Sequence, residues 1–322
     1  MTRPCFARML GILLVLAIPM DAFAQGFKVT LLGTGNPFPV MDRFGPSTLV
    51  EAGQEKLLFD CGRGASQRLW QLGIPLSGVT ATFLTHLHSD HVVGIPDLWL
   101  TGWLPPLFGR RIEPFRVWGP TGTKEMMSHL EKAYQADIRI RIEDEKLPPL
   151  GASIVVEDIS EGVVYQSNGV KVTAFDVDHG AAIKPAFGYR IDYDGRSVVI
   201  SGDTRFSENL IRFSKGADVV VHEVAQAKEE LLRKSEAARR IIGHHTSPEE
   251  AGTVFARLKP RLAVYSHIVL LTTEPGIAAP TISDLVAMTR KTYAGRLEVG
   301  EDLMTIEVGN TVEVNRPAAI VR

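Results

Sequence analysis

A chain of 322 residues has room for one large domain or two small ones, and its 45% hydrophobic and 22% charged residues are ordinary for a globular α/β protein. A formal net charge of −2 gives no basic excess of the kind that advertises a nucleic-acid partner. The two cysteines are Cys5 and Cys61; once the N-terminal segment is set aside only Cys61 remains, which excludes an intrachain disulfide.

Residues 1–24 read as a secretory signal peptide. Arg3 and Arg8 form a short basic region, residues 9–18 an apolar one, and Ala22-Phe23-Ala24 a small-x-small cleavage pattern that leaves Gln25 first. The expected location is therefore periplasmic or secreted, with no stable membrane span after cleavage, because the apolar run is too short to span comfortably. Short β-rich runs follow at 27–32, 47–50, 56–59 and 79–84, punctuated by Gly33, Gly35, Pro37 and Pro39. A helix is expected over 64–72, with Ala65, Leu69 and Leu72 on one face, and another over 122–136 after Gly119-Pro120. Cys61, directly behind a strand, reads as a buried packing residue.

Strands are expected again at 138–142, 153–156, 163–165, 170–177, 186–193 and 197–201, with hairpin turns at Asn168-Gly169 and Asp194-Gly195. The last third alternates: helix 207–215, strand 219–222, helices 228–241 and 248–258, strand 262–266, helix 282–293, then a strand pair at 296–299 and 303–308. Ser247 and Pro248 look like an N-cap and first helical residue. Residues 25–322 read as one domain of two β-then-α halves.

The most informative stretch is Thr85-His86-Leu87-His88-Ser89-Asp90-His91, directly after the apolar run 79–84. Side chains two apart in an extended chain share a face, so His86 and His88 point together. Asp90 and His91 follow where the chain turns. Imidazole with carboxylate suits a catalytic zinc more than a structural one. Further His or Asp residues sit at the ends of later strands: His179, Asp203 in Ser201-Gly202-Asp203-Thr204, His222-Glu223 and His267. Taken singly these are polar loop residues, and Asp203 could cap a helix; taken together they gather a site from distant sequence.

In this order, with Gly33-Thr34-Gly35, Phe59-Asp60-Cys61-Gly62, Phe187-Gly188-Tyr189-Arg190 and His245-Thr246-Ser247, these pieces resemble the metallo-β-lactamase superfamily, in its ribonuclease Z and zinc-dependent arylsulfatase-like branch. The resemblance covers essentially the whole mature chain. It implies a four-layer αββα sandwich with two Zn²⁺ at one edge of the sheets, other divalent transition metals being possible. It assigns His86, His88 and His179 to one metal and Asp90, His91 and His267 to the other, with Asp203 bridging. It implies catalytic roles for Asp90, Glu223 and His245, the last two as a pair that handles the leaving-group proton. Asp60 is expected to orient the His cluster, while His222 and His244 receive no role and His129 reads as a surface residue.

Two departures shape the expected substrate. Between Tyr189-Arg190 and Ser201 there is only a tight turn, with no room for a tRNA-grasping arm, and His267 is followed by apolar Ile268-Val269-Leu270-Leu271 instead of small and basic residues. The Arg110-Arg111 pair is too small for an RNA track. The expectation is an exported dinuclear-zinc hydrolase of small anionic esters, arylsulfate or phosphodiester, with nucleic acid not expected as a partner. Trp99, Trp103, Leu104 and Phe108 form a candidate lid over an aryl group. A ribonuclease Z-like 3′-tRNA-processing endonuclease is the alternative. A lactonase, or a metal-binding protein without turnover, is a further one. The sequence leaves a homodimer open.

Overall fold

The computed structural model describes residues 26–317, so the expected signal segment lies outside the described residues. The strands are β1 (Phe27–Gly33), β2 (Ser47–Ala52), β3 (Glu55–Phe59), β4 (Ala81–Phe83), β5 (Phe115–Gly119), β6 (Ile154–Asp158), β7 (Gly162–Ser167), β8 (Val170–Asp176), β9 (Phe187–Tyr193), β10 (Arg196–Ile200), β11 (Val219–Ala227), β12 (Leu262–Leu271), β13 (Leu297–Val299), β14 (Thr305–Val308) and β15 (Val312–Asn315). The helices are α1 (Ala65–Gln71), α2 (Ser89–Val92), α3 (Ile95–Thr101), α4 (Thr123–Ala133), α5 (Gln135–Glu143), α6 (Pro149–Ala152), α7 (Glu208–Phe213), α8 (Glu229–Lys234), α9 (Glu236–Ile242), α10 (Pro248–Leu258) and α11 (Ile282–Thr289).

The strands form two mixed sheets, one of eight ordered β15-β14-β1-β2-β3-β4-β5-β6 and one of seven ordered β13-β12-β11-β10-β9-β8-β7. Alternation along each strand decides what each face buries. Val29, Leu31, Phe59 and Phe83 of the first sheet meet Val172, Tyr189, Val198 and Val221 of the second. The next residues along, Val199 and Val220, pack outward on Leu210 of α7, Phe255 of α10 and Leu285 of α11. On the far side, Leu32 and Leu58 lie under Leu69 of α1, Leu98 of α3 and Met127 of α4. The result is the expected αββα sandwich. Each of these fully buried side chains contributes on the order of 1.5–3 kcal/mol.

Both predicted hairpin turns are present. Ser167 pairs with Val170 and Tyr193 with Arg196, and the turn residues Asn168, Gly169, Asp194 and Gly195 all have positive φ. The expected strand 138–142 is instead part of α5, which continues α4 after a break at Tyr134. Ile138 and Ile142, four apart, pack inward while Ile140 is exposed, so the Ile-Arg-Ile-Arg-Ile alternation belongs to a helix face. The expected helix 228–241 is two short helices, with Ser235 ending α8 and capping α9. The expected final strand pair is not a pair: β13 joins the second sheet beside β12, whereas β14 joins the first beside β1. None of the described helices is long and apolar enough to cross a membrane.

Candidate active site

The His cluster sits in the loop that leaves β4 and enters α2. His88 is still extended and serves as the N-terminal flank of α2, so Asp90 and His91 are turned into a different direction from His86 and His88. Asp60, just behind β3 with φ of 57°, fastens this loop. Its Oδ1 accepts the Thr85 N–H at 2.8 Å and its Oδ2 lies 2.8 Å from His91 Nδ1. A proton shared on that edge fixes the ring and leaves His91 Nε2 facing the centre. His179, beyond β8, is held in the same way, its Nδ1 lying 2.9 Å from the carbonyl of His244.

Backbone geometry delivers the remaining groups. Asp203 follows Gly202, whose φ is +60° and where an added Cβ would lie 2.3 Å from the carbonyl oxygen of Phe187. Only glycine fits there, and the turn it makes brings Asp203 under the His loop. Between β11 and β12 the register shifts, so that Ser266 and His267 together oppose Glu223. His267 takes φ of +42° as the extra residue of this bulge, which aims both Glu223 and His267 at the site.

The seven expected ligands lie together, all but His88 buried. His88 Nδ1 is 2.8 Å from His86 Nε2 and 3.3 Å from His179 Nε2. Asp90 Oδ2 is 3.6 Å from His91 Nε2 and 3.4 Å from His267 Nε2. Asp203 Oδ2 reaches both triads, at 3.4 Å from His91, 3.3 Å from His267, 3.7 Å from His179 and 4.0 Å from His86. Donors bound tetrahedrally to one zinc at ~2.0–2.2 Å sit about 3.3–3.6 Å apart, so most of these separations match a shared cation. The buried His91 Nε2 has no hydrogen-bond partner, as a nitrogen reserved for a cation would not. The donor set therefore fits two divalent ions.

The electrostatics agree for two of the rings; burial would also lower His91, but the carboxylates of Asp203 and Asp60 hold it well above the usual range, so a cation there would have to displace a proton. Burial, reinforced by the neighbouring His91, pushes His86 well below the usual imidazole range, and burial brings His179 down to about 4, so both rings are neutral as ligation requires. Burial would raise Asp203, but the imidazoles of His267 and His91 outweigh it and hold the carboxyl well below the usual range.

Beside the triads, Glu223 Oε2 lies 3.2 Å from His245 Nδ1, while Oε1 accepts the N–H of Thr204 at 3.2 Å and of Thr246 at 2.9 Å. Burial would lower His245, yet the Glu223 carboxylate raises it to about 9. His245 borders the cavity over the site, so the pair can present a proton there. Ser247 caps α10 in a full capping box with Glu250, so the cap role belongs to Ser247 and leaves the preceding His245 free. Ser207 caps α7, so Asp203 is not a cap. His222 faces away, its ring against Phe255.

The expected lid of Trp99, Trp103, Leu104 and Phe108 does not border the cavity over the site; Leu104 packs against the cluster of Trp103, Leu147 and Ala152. Trp99 and Trp103 are fully buried, their indole N–H groups donating to the carbonyls of Ala152 and Pro148 at 3.0 and 2.9 Å. Phe108 lies against Trp70, bordering a different cavity with α1 and α3. The cavity over the site, about 340 Å³, is walled instead by Asn36, Pro37, Phe38, Ile241, Val269 and Leu271. Phe38 and Ile241 were not among the residues expected at the site; the available signal was an aromatic residue between two prolines just after Gly35-Asn36.

Compared with known proteins, residues 27–232 match the family described as "Anti-Pycsar protein Apyc1". The ribonuclease Z of Mycobacterium marinum is 36% identical over 284 residues, covering 87% of this chain and 98% of the relative. Among solved structures, the metallo-β-lactamase fold protein YhfI from Bacillus subtilis superimposes with a TM-score of 0.68 at 17% identity, over 88% of this chain and 100% of that one. The short form of human tRNase Z gives 0.63 at 21% identity, over 88% and 99%. The missing arm loses its force here: 284 aligned residues take up 98% of the Mycobacterium marinum enzyme, which leaves that ribonuclease Z no room for a large insertion either.

Proposed function

Since the chain belongs to the ribonuclease Z branch of the metallo-β-lactamase superfamily and to the Anti-Pycsar protein Apyc1 family, and is a metal-dependent hydrolase of ester bonds, we propose that its substrates are phosphodiesters and that it cleaves RNA in the manner of a ribonuclease Z. The observation that carries the hydrolytic part of the reading is Asp203, whose one oxygen lies within 4.0 Å of a nitrogen in each triad, while the RNA part rests on the 36% identity to a ribonuclease Z. A pair of cations bound there supplies Lewis-acid polarisation of a phosphoryl oxygen and lowers the pKa of water. The chain's own residues do the rest. His86, His88 and His179 would hold one cation, Asp90, His91 and His267 the other, and Asp203 lies within reach of both groups. Asp60 and the His244 carbonyl fix the ring edges of His91 and His179. His245, oriented by Glu223 through Nδ1, holds a proton on Nε2 for the departing alkoxide.

A second reading, hydrolysis of small phosphodiesters, is favoured by the cavity itself. About 340 Å³ with walls of Phe38, Ile241, Val269 and Leu271 suits a compact ester with an apolar part. Export of the mature chain, if residues 1–24 are cleaved as proposed, would also separate it from nascent tRNA. The relatives bear on phosphodiester cleavage, and the arylsulfate half of the sequence expectation gains no support from them. The test compares kcat/KM of the zinc-loaded chain for a 3′-extended tRNA, bis(p-nitrophenyl) phosphate and p-nitrophenyl sulfate at two salt concentrations. Salt-sensitive tRNA cleavage supports the first reading. Diester turnover without tRNA cleavage supports the second, and turnover of the sulfate alone overturns both.

A further inference from the structure

The cavity over the His/Asp cluster is polar at its floor and apolar at its mouth. Val269 and Leu271 form one wall and are buried, because the α8–α9 pair packs on them through Leu231 and Ala238. Phe38 and Ile241 border the same cavity yet are 51% and 36% exposed. A lone exposed hydrophobic side chain needs no explanation, but two at the mouth of a catalytic cavity offer apolar surface that a bound group would cover.

Phe38 is also held in place. The Asn36 amide donates to the carbonyl of Ile268, next to His267, at 2.8 Å, and Asn36 Oδ1 accepts the Phe38 N–H at 3.0 Å. At the loop's two ends Asp302 accepts the N–H of Thr34 at 2.9 Å and of Phe44 at 2.7 Å, and its Oδ2 is bridged by Arg68 at 2.8 Å. A loop fastened at both ends, and tied to the strand that carries His267, presents its aromatic ring in a defined position and loses little freedom on binding. Ile241 is fixed by α9, which ends immediately before the His244-His245 segment.

We propose that Phe38, with Ile241, is a specificity clamp that takes a planar aromatic ring on the non-leaving side of the ester. The ring is either a nucleobase or a simple aryl group, and stacking on Phe38 tolerates any flat π-face. The assignment rests on the phosphodiesterase reading and adds the part of the substrate that reading leaves open. Because the ring contacts do not change as the phosphoryl centre reacts, the clamp contributes to binding and shows mainly in KM.

The experiment uses three diesters with one leaving group: thymidine 5′-p-nitrophenyl phosphate, bis(p-nitrophenyl) phosphate and methyl p-nitrophenyl phosphate. Phe38→Ala is expected to lower kcat/KM about tenfold to a hundredfold for a substrate with a second ring, mainly through KM, and to leave the methyl ester within about twofold. Phe38→Trp should restore most of the loss. Zinc content and melting temperature of each variant are measured alongside, to exclude a folding defect. A loss confined to the thymidine ester identifies a nucleobase site, and a loss for both ring-bearing esters identifies a general aryl site. Equal losses for all three, or no loss, overturn the clamp. If the wild-type chain turns over none of them, the phosphodiesterase reading fails by itself. The clamp is then read from calorimetric binding of thymidine 5′-monophosphate against methyl phosphate to the zinc-loaded chain. Weaker nucleotide binding by Phe38→Ala of about tenfold or more supports it, and unchanged binding overturns it.

Discussion

Replacing His245 by alanine separates a proton donor from a metal ligand. Two other geometric groupings, His179 with Asp203 and His245, and Glu223 with His245 and His267, would let His245 bind a cation. Removing its imidazole leaves Glu223 Oε1 still bonded to the N–H groups of Thr204 and Thr246, at 3.2 and 2.9 Å. Only Oε2 loses its partner, a cost of about 1–3 kcal/mol for a buried acceptor, reduced because the vacated space adjoins the open cavity and water can enter. The variant should therefore fold. Losing a general acid costs ~10²–10⁴ in kcat when the leaving group needs a proton, as an RNA alkoxide does. For p-nitrophenolate, which leaves unaided, the loss should stay within about tenfold. The assay pairs kcat on a 3′-extended RNA and on bis(p-nitrophenyl) phosphate with elemental analysis, which should still find two ions per chain. Equal losses on both substrates, or a fall to one ion, would refute the proton-donor assignment.

Two further outcomes follow. Asp60→Asn keeps the side chain's shape but weakens its hold on His91 Nδ1, 2.8 Å away, and should lower zinc affinity about tenfold to a hundredfold in a competition titration; unchanged affinity would remove Asp60 from the metal site. Mass spectrometry of the chain purified from its native compartment should find Gln25 at the N-terminus, and an intact chain beginning at Met1 in the cytosol would count against export.

The site was more legible in the sequence than parts of the scaffold. Thr85 to His91 could be read because ligands two apart on an extended segment and then across a turn leave a compact signature, and Asn168-Gly169 because that dipeptide suits a turn with two positive φ values. The β11–β12 bulge was not legible. It depends on a register shift between strands some forty residues apart, and no local preference of His267 announces a φ of +42°. Residues 138–142 misled because Ile-Arg-Ile-Arg-Ile satisfies a period of two, while the helix uses only Ile138 and Ile142. Trp99 and Trp103, four apart, look like a surface cluster until the α6 segment covers them and accepts their N–H groups. The strand β5 was missed, a short run closed by Gly119-Pro120 whose burial comes from pairing with β4 and β6. The cavity walls combine a loop after β1 with a helix two hundred residues later, a proximity that only the folded chain reveals.

The central claim is that Asp203 joins two metal positions into one hydrolytic site. Zinc-edge anomalous diffraction from crystals of the zinc-loaded chain measures this directly. The account predicts two peaks about 3.5–4 Å apart, one within His86, His88 and His179, the other within Asp90, His91 and His267, each at bonding distance from an Asp203 carboxylate oxygen. A single peak at full occupancy, or a second one with no Asp203 oxygen in reach, would contradict it.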